Sequence, residues 1–382
     1  MEENFERENI PEETNENPTE ANAEAQAVAM RAKKEEMKKN LRFSANRIGW
    51  ATVLFIALWM FFLAVVSIVL QVAEELFAEG VISFSGADFY NKYLLILNSV
   101  TQIPAMAVAV AVLVSLPKAN FEKTPIAFDR FIKILLICFG AGYAGNLIGT
   151  VLLSFWNIFT GNSVGNELQE ILYGMNPFIM FISVVIFAPV LEELFFRKLL
   201  IDRLRPFGKI VSVFLPAFLF ALFHQSATQF IYAFAVGTIL AYLYYETKNY
   251  WLTVSIHALF NFVSGFIPML FLPKIEGFVN EFALLEGSFS NAETLDEIAE
   301  LMMPLLEAYG FSLALYAVYA LLLFVVNITG IVLLFVNLKQ LRKMKEESPL
   351  GIGEAVKAVM LNPGMLVCTA VLTILTVFSL FA

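Results

Sequence analysis

The feature that most constrains this chain is a succession of apolar stretches, most of them about as long as a helix needs to cross roughly 30 Å of hydrocarbon. They occupy residues 48–70, 94–116, 131–155, 177–200, 210–224, 229–245, 251–272, 311–336 and 362–381. A backbone inside hydrocarbon must satisfy its own polar groups, and a helix does so within one segment. The stretches therefore predict an all-α, polytopic transmembrane helical bundle of eight or nine spans. The ninth is the least regular, because Asn362, Pro363 and Gly364 interrupt its start. Composition agrees: 59% of the 382 residues are hydrophobic and 15% are charged, far from soluble averages. The two cysteines, Cys138 and Cys368, lie in apolar runs, so neither a disulfide framework nor a cysteine metal cage is expected.

Residues 1–47 read as a disordered cytoplasmic tail with a basic juxtamembrane stretch. Its first part is rich in Glu, Asn, Pro, Thr and Ala and buries too little to offset the entropy of folding. The acidic start, with the first apolar run arriving late, does not match a cleaved secretory signal, so the first span is expected to be an uncleaved anchor. Just before it stand Arg31, Lys33, Lys34, Lys38, Lys39, Arg42 and Arg47. This cluster reads as a cytoplasmic flank under the positive-inside rule rather than as a nucleic-acid site. With the N-terminus inside, all of the 25 basic residues except Lys92 and Lys274 fall on the cytoplasmic side. Residues 48–176 then hold helices 1–3, 177–272 helices 4–7, 273–310 an acidic external segment, and 311–382 the C-terminal helices.

In the external segment, Ser290 with Glu293 or Thr294 with Glu297 has capping-box spacing, ahead of a stripe through Leu295, Ile298, Leu301, Met302 and Leu305. A peripheral helix lying on the outer interface is expected there. Gly140, Gly142, Gly145 and Gly149 of the third span predict close helix packing. Asn146 and Asn327 suit interhelical hydrogen bonds.

Ionisable groups inside a membrane cost several kcal/mol and are functional candidates by default. Few survive that test. The fourth span carries Glu192, Glu193 and Arg197, the fifth ends in Phe220-Ala-Leu-Phe-His224, and the seventh contains His257-Ala-Leu-Phe-Asn261. These are the only two histidines of the chain. Glu193 with Arg197, Phe220 with His224, and His257 with Asn261 are each four apart and share a helix face. Glu192 points about 100° away from Glu193. One carboxylate can therefore face a cavity while the other faces a neighbouring helix, or the pair can share a proton. Such a set can polarise water and stabilise an oxyanion, which points to hydrolysis. Counted along the helices from their cytoplasmic ends, Glu193, His224 and His257 lie roughly 18, 24 and 12 Å deep, a mismatch of about two turns.

The ordered motifs Glu-Glu-x-x-x-Arg, Phe-x-x-x-His and His-x-x-x-Asn closely resemble the CPBP family, that of CAAX proteases and bacteriocin-processing or immunity proteins, also called ABI. The resemblance runs from Pro177 to about Leu272, a quarter of the chain. It implies an intramembrane endopeptidase of the cell membrane that cleaves a membrane-associated peptide or lipidated protein. In type II CAAX enzymes this is removal of a C-terminal tripeptide after a lipidated cysteine. On residue type, Glu192 is the preferred base for the attacking water, aided by His224. Glu193 and Arg197 fix the helix and its charge, and His257 and Asn261 bond the water or the oxyanion. No cofactor is required by a glutamate-activated water. A zinc ion on His224, His257 and Glu192 is the metal alternative, since two imidazoles and a carboxylate form an acceptable zinc set. The helical His-Glu-x-x-His motif is absent from the sequence. A non-proteolytic membrane scaffold or bacteriocin self-immunity protein is the competing functional class. A transporter would call for paired repeats with broken helices, and no such repeat is visible.

Overall fold

The computed structural model describes residues 20–161, 175–341, 348 and 350–381. Among them every regular element is helical. In chain order these are α1 (Glu20–Ala78), α2 (Gly86–Val114), α3 (Phe128–Thr160), α4 (Pro177–Phe207), α5 (Lys209–Phe223) and α6 (Ala227–Thr247). There follow α7 (Tyr250–Leu284), α8 (Glu286–Asn291), α9 (Leu295–Leu341), α10 (Ile352–Met360) and α11 (Pro363–Phe378). The chain is an all-α polytopic bundle.

Seven of these helices are long and apolar enough to cross a membrane. The count becomes eight if α10 and α11, bent by 79° to one another, form one span. The expected eight or nine is thus reduced, because the fifth apolar run is only the 15-residue α5. At 1.5 Å per residue it covers about 22 Å, short of the hydrocarbon thickness. It has no need to reach both surfaces, since α4, α6 and α11 pack against it and 11 of its 15 residues are buried. The ninth run begins where its interruption stood: Asn362 caps α11 by accepting from the Met365 N–H at 3.0 Å, and Pro363 occupies the first turn.

The structure corrects the sequence reading at two further places. The tail expected over residues 1–47 is helical from Glu20, continuous with the first span; residues 1–19, with Arg7, lie outside the described residues. Residues 21–39 consist largely of Ala, Glu, Lys, Gln, Arg and Met, the best helix formers. The span supplies a nucleus from which such a sequence propagates readily. Leu41, Ala45 and Ile48 are then fully buried in one core with Leu350, Ala355, Val359 and Met365, and Lys34 pairs with Glu354 at 2.7 Å. In the 273–310 segment, α7 continues to Leu284 and α9 runs unbroken from Leu295 into the eighth apolar run. A separate helix lying on the interface is therefore not present. The end of its stripe is buried, at Leu305, while Leu295 and Ile298 at its start are exposed; one turn on, Tyr309 donates to Glu281 of α7 at 2.6 Å. The Thr294–Glu297 capping box does form, with the Glu297 N–H donating to the Thr294 hydroxyl at 3.2 Å and the Thr294 N–H to the Glu297 carboxylate at 3.3 Å.

The glycine stripe of α3 packs as expected. Gly140 meets the backbone of Gly330 and Ile331 on α9, and Gly145 meets Tyr232 on α6, so close that a Cβ at either would overlap backbone atoms. Asn327 is buried one turn before Gly330, whereas Asn146 is exposed.

The basic loops gather at one end of the bundle. Arg203 donates to the Leu113 carbonyl at 2.6 Å, Lys248 to the Phe121 carbonyl at 2.6 Å and Arg205 to the Tyr245 carbonyl. Lys209 pairs with Glu246 at 2.8 Å, and Arg47 donates to Ser115. Arg342, Lys343 and Lys345 lie outside the described residues.

Gly330→Leu should cost about 1–3 kcal/mol or more by overpacking, read as a lowered unfolding temperature of the detergent-solubilised protein. Gly353→Ala, where a Cβ would meet nothing within 4 Å, should leave that temperature unchanged.

Candidate active site

Two of the four helices that build the site depart locally from α geometry. In α4, π turns span Phe181–Phe187 and Glu193–Leu199, and in α7 a third spans Phe262–Phe266. Such turns are uncommon and often mark functional sites. Here one cause is legible. Within the first π turn the Ala188 N–H bonds the Ser183 carbonyl, five residues back. The next donor in that register belongs to Pro189, which has no N–H. The Val184 carbonyl is satisfied instead by the Asn261 amide of α7, at 3.0 Å. Six residues on, the Val190 carbonyl accepts from the Tyr250 hydroxyl at 2.8 Å. Two side chains of α7 thus tie it to α4 on either side of Pro189.

Those ties set the register at which α4 and α7 bring their charges together. Glu193 is fully buried, and its Oε1 lies 2.8 Å from Nδ1 of His257. Its Oε2 lies 3.2 Å from Nε of Arg197, which is also fully buried. Arg197 in turn stacks its guanidinium over the Phe220 ring at 4.3 Å and donates from Nη2 to the Gly237 carbonyl of α6 at 3.4 Å. Glycine at 237 is needed because a Cβ there would press on that ring. Among the described residues Nε and Nη1 of Arg197 and Oε2 of Glu193 have no hydrogen-bond partner, so the contact between the two side chains is an ion pair rather than a hydrogen bond. Glu193 thus spends both oxygens on fixed cationic or imidazole partners.

Glu192 has a different environment. Its side chain is 18% exposed, and its Oε2 stands 3.7 Å from Nε2 of His257, too far for a direct hydrogen bond and suited to a bridging water. His257 therefore sits between the two carboxylates, one on each ring nitrogen. His224 caps the end of α5, its Nδ1 bonded to the Phe220 carbonyl at 2.8 Å. With the proton on Nδ1, its Nε2 is left as an acceptor. Glu192 is its principal charged neighbour. The Phe220 ring lies edge to face with both imidazoles, 4.7 Å from His224 and 5.8 Å from His257.

All six candidate residues and the motif Phe220 thus belong to one cluster, but not in equal roles. The depth mismatch of two turns closes for Glu193 and His257, which touch; His224 lies beyond them, at the end of the short α5. Asn261 directs its amide to the Val184 carbonyl, so its bonding serves the helix pair rather than the water or oxyanion. As a zinc set, His224, His257 and Glu192 are poorly disposed. Zinc ligands converge to about 2.0–2.2 Å from one point. Among the described residues no group of three His, Cys, Asp or Glu forms a metal-binding arrangement.

Sequence reasoning missed four contributors. Tyr250 is seven residues before His257, two turns along one face, a signal that was available. Gly237, the fully buried Thr253 beside Glu193, and Tyr232, which feels the Glu192 charge, carried no motif. Cys138, on α3, is buried and free.

Residues 174–263 match the family described as type II CAAX prenyl endopeptidase Rce1-like. This segment holds every motif residue and both π turns of α4, and it carries the CAAX protease family signature. No curated protein and no solved structure matches the chain.

Breaking a buried ion pair leaves an uncompensated charge and costs about 3–5 kcal/mol. Arg197→Ala is therefore expected to destabilise the protein by that amount in denaturant unfolding. Glu192→Gln, at a part-exposed carboxylate, should shift stability by less than about 1 kcal/mol.

Proposed function

We propose, taking residues 174–263 as a CAAX protease segment of the type II prenyl endopeptidase kind, that this chain is an intramembrane endopeptidase acting on a membrane-associated peptide or lipidated protein. The observation that carries the assignment of roles is the unequal environment of the two adjacent glutamates. Glu193 is fully buried, hydrogen-bonded through Oε1 to His257 and ion-paired through Oε2 with Arg197, so both oxygens already face a partner. Glu192 is the carboxylate with an open side, next to His257 and His224.

In this reading Glu192 accepts a proton from the water that attacks the scissile carbonyl. The water is oriented between that carboxylate and an imidazole nitrogen, and general-base assistance of this kind contributes about 10²–10⁴-fold. His224, anchored by its own Nδ1, offers Nε2 to take up or return a proton as the amine departs. His257 has a positioning and electrostatic role. With a proton on each nitrogen it donates from Nδ1 to Glu193 at 2.8 Å and holds Nε2–H 3.7 Å from Glu192 without a direct bond, and the group Glu192, Glu193, Arg197 and His257 sums to zero charge. An apolar interior tolerates such a compensated set far better than an isolated carboxylate. The donor that meets the developing oxyanion is then His257 Nε2–H rather than the Asn261 amide. A zinc ion on Glu192 and the two histidines would act as a Lewis acid, and no step is assigned to it.

The basic end of the bundle is taken as the cytoplasmic face of the cell membrane under the positive-inside rule, which puts the N-terminus inside. Substrates are then expected to enter from the leaflet that holds cytoplasmic lipid anchors. The scaffold or self-immunity reading gains nothing from the geometry, since a purely structural ion pair needs Glu193 and Arg197 but not Glu192 and His224.

The test is cleavage of a membrane peptide by purified protein in vesicles. Glu192→Gln and His224→Ala should each lower kcat by about 10²-fold or more with unfolding curves close to wild type, and a chelator should leave the wild-type rate unchanged. Full cleavage by folded Glu192→Gln protein would remove this mechanism.

A further inference from the structure

A cavity lined by several charged side chains lies at the basic end of the bundle, outside the cluster of Glu192 and His224. It has a volume of about 220 Å3 and is lined by Lys118, Lys123, Lys198, Lys248, Asp202 and Trp251, with Tyr250 in its wall. These residues come from the α2–α3 connection, the last turns of α4 and the α6–α7 turn, so the cavity is assembled only when three segments meet. Four lysines and a single aspartate line it, and one of the four, Lys248, already donates to the Phe121 carbonyl at 2.6 Å. That carboxylate is already engaged: Asp202 is 3% exposed, accepts from the Tyr244 hydroxyl at 2.9 Å and stands 4.0 Å from Lys118. The excess of three positive charges calls for an anion.

The surroundings say at what level that anion sits. Trp251 is 63% exposed at the rim, and tryptophan on the outer surface of a membrane helix end marks the headgroup layer. The first apolar residues of α7 follow it directly. Basic pockets between helix ends at this level suit phospholipid headgroups. The donor type agrees. Lysines are compact point charges that accept a phosphate in many orientations, whereas a single carboxylate is best matched by an arginine fork. The two arginines nearest in sequence to Asp202 are spent on backbone carbonyls, Arg203 on Leu113 and Arg205 on Tyr245.

We propose that this cavity binds the phosphate-bearing headgroup of an anionic phospholipid in the leaflet at the basic end. The site is independent of the peptidase reading, but it adjoins that centre. Lys198 lies 5.4 Å from the centre of the Tyr250 ring, and the Tyr250 hydroxyl holds the Val190 carbonyl. A bound headgroup therefore rests against one of the two ties between α4 and α7.

The experiment uses the full chain in phosphatidylcholine vesicles containing a minor share of phosphatidylglycerol, with the retained lipids counted by native mass spectrometry. Wild type should retain phosphatidylglycerol preferentially. The K123Q/K198Q variant should lose that preference on the order of tenfold, and K123R/K198R should recover it. K38Q/K39Q, which removes two charges elsewhere at the same end, should behave as wild type. Equal loss in K38Q/K39Q would reduce the effect to general surface charge and overturn the site. Unchanged retention in K123Q/K198Q would also overturn it. Displacement of the lipid by millimolar inorganic phosphate would make this a free-anion site instead. Displacement by a membrane peptide with a free C-terminal carboxylate, but not by its amide, would make it a peptide pocket. Either result ends the lipid assignment.

Discussion

The structure turns on one buried carboxylate. Glu193 has no solvent to share its charge, and an isolated ion there would cost several kcal/mol. It is held instead between the Arg197 guanidinium at 3.2 Å and the His257 imidazole at 2.8 Å. Arg197 lies on the same helix, so that half of the clamp is local. His257 comes from α7, so the other half exists only if α4 and α7 meet in one register. Tyr250 and Asn261 enforce this register through the Val190 and Val184 carbonyls. The guanidinium needs a floor as well, which Phe220 of α5 and the bare backbone of Gly237 on α6 provide. Four helices are thereby committed to one charge.

Around that clamp the packing is dominated by aromatic rings. Phe195 and Phe196, on the turn between Glu193 and Arg197, pack against Phe55 of α1 and against Phe220 and Phe223 of α5, with ring centres 5.1 to 5.4 Å apart. Each such pair contributes about 0.5–1.5 kcal/mol beyond its buried area. In hydrocarbon, where burial drives helix association weakly, contacts of this kind hold the helices as well as fill space. The cluster explains why α5 stops at 15 residues. It ends where His224 is required, and its polar turn is sheltered inside the bundle, the one setting in which irregular backbone is tolerated at such depth.

Much of this was legible from residue order. The apolar runs announced the helices, the glycines of α3 announced its close crossing with α9, and Thr294 with Glu297 announced the start of α9. The six ionisable or polar candidates were found because so few such groups survive in apolar helices. Other features were hidden for identifiable reasons. The helical stretch over residues 20–47 was taken as a tail because its composition is polar, yet its Ala, Glu and Lys residues propagate a helix once a span is attached. The π turns left no periodicity of their own. The missing Pro189 N–H is a visible cause only after the Ser183–Ala188 bond shows which register the helix has taken. Asn261 had the right spacing from His257 to face a substrate, but spacing cannot reveal that a carbonyl opposite has lost its donor.

By itself, then, the sequence determined that the chain is a helical membrane bundle and which few residues are candidates to carry its chemistry, because hydrocarbon penalises every polar group that is not needed and so makes the needed ones conspicuous. It could not decide between Glu192 and Glu193. They are neighbours of the same residue type, and the difference between them is made entirely by what other helices bring. His257 and Arg197 close around one and leave the other partly open. That choice belongs to the tertiary structure, since the protonation and reach of a carboxylate depend on partners from α7 and α5 whose distances no single segment encodes.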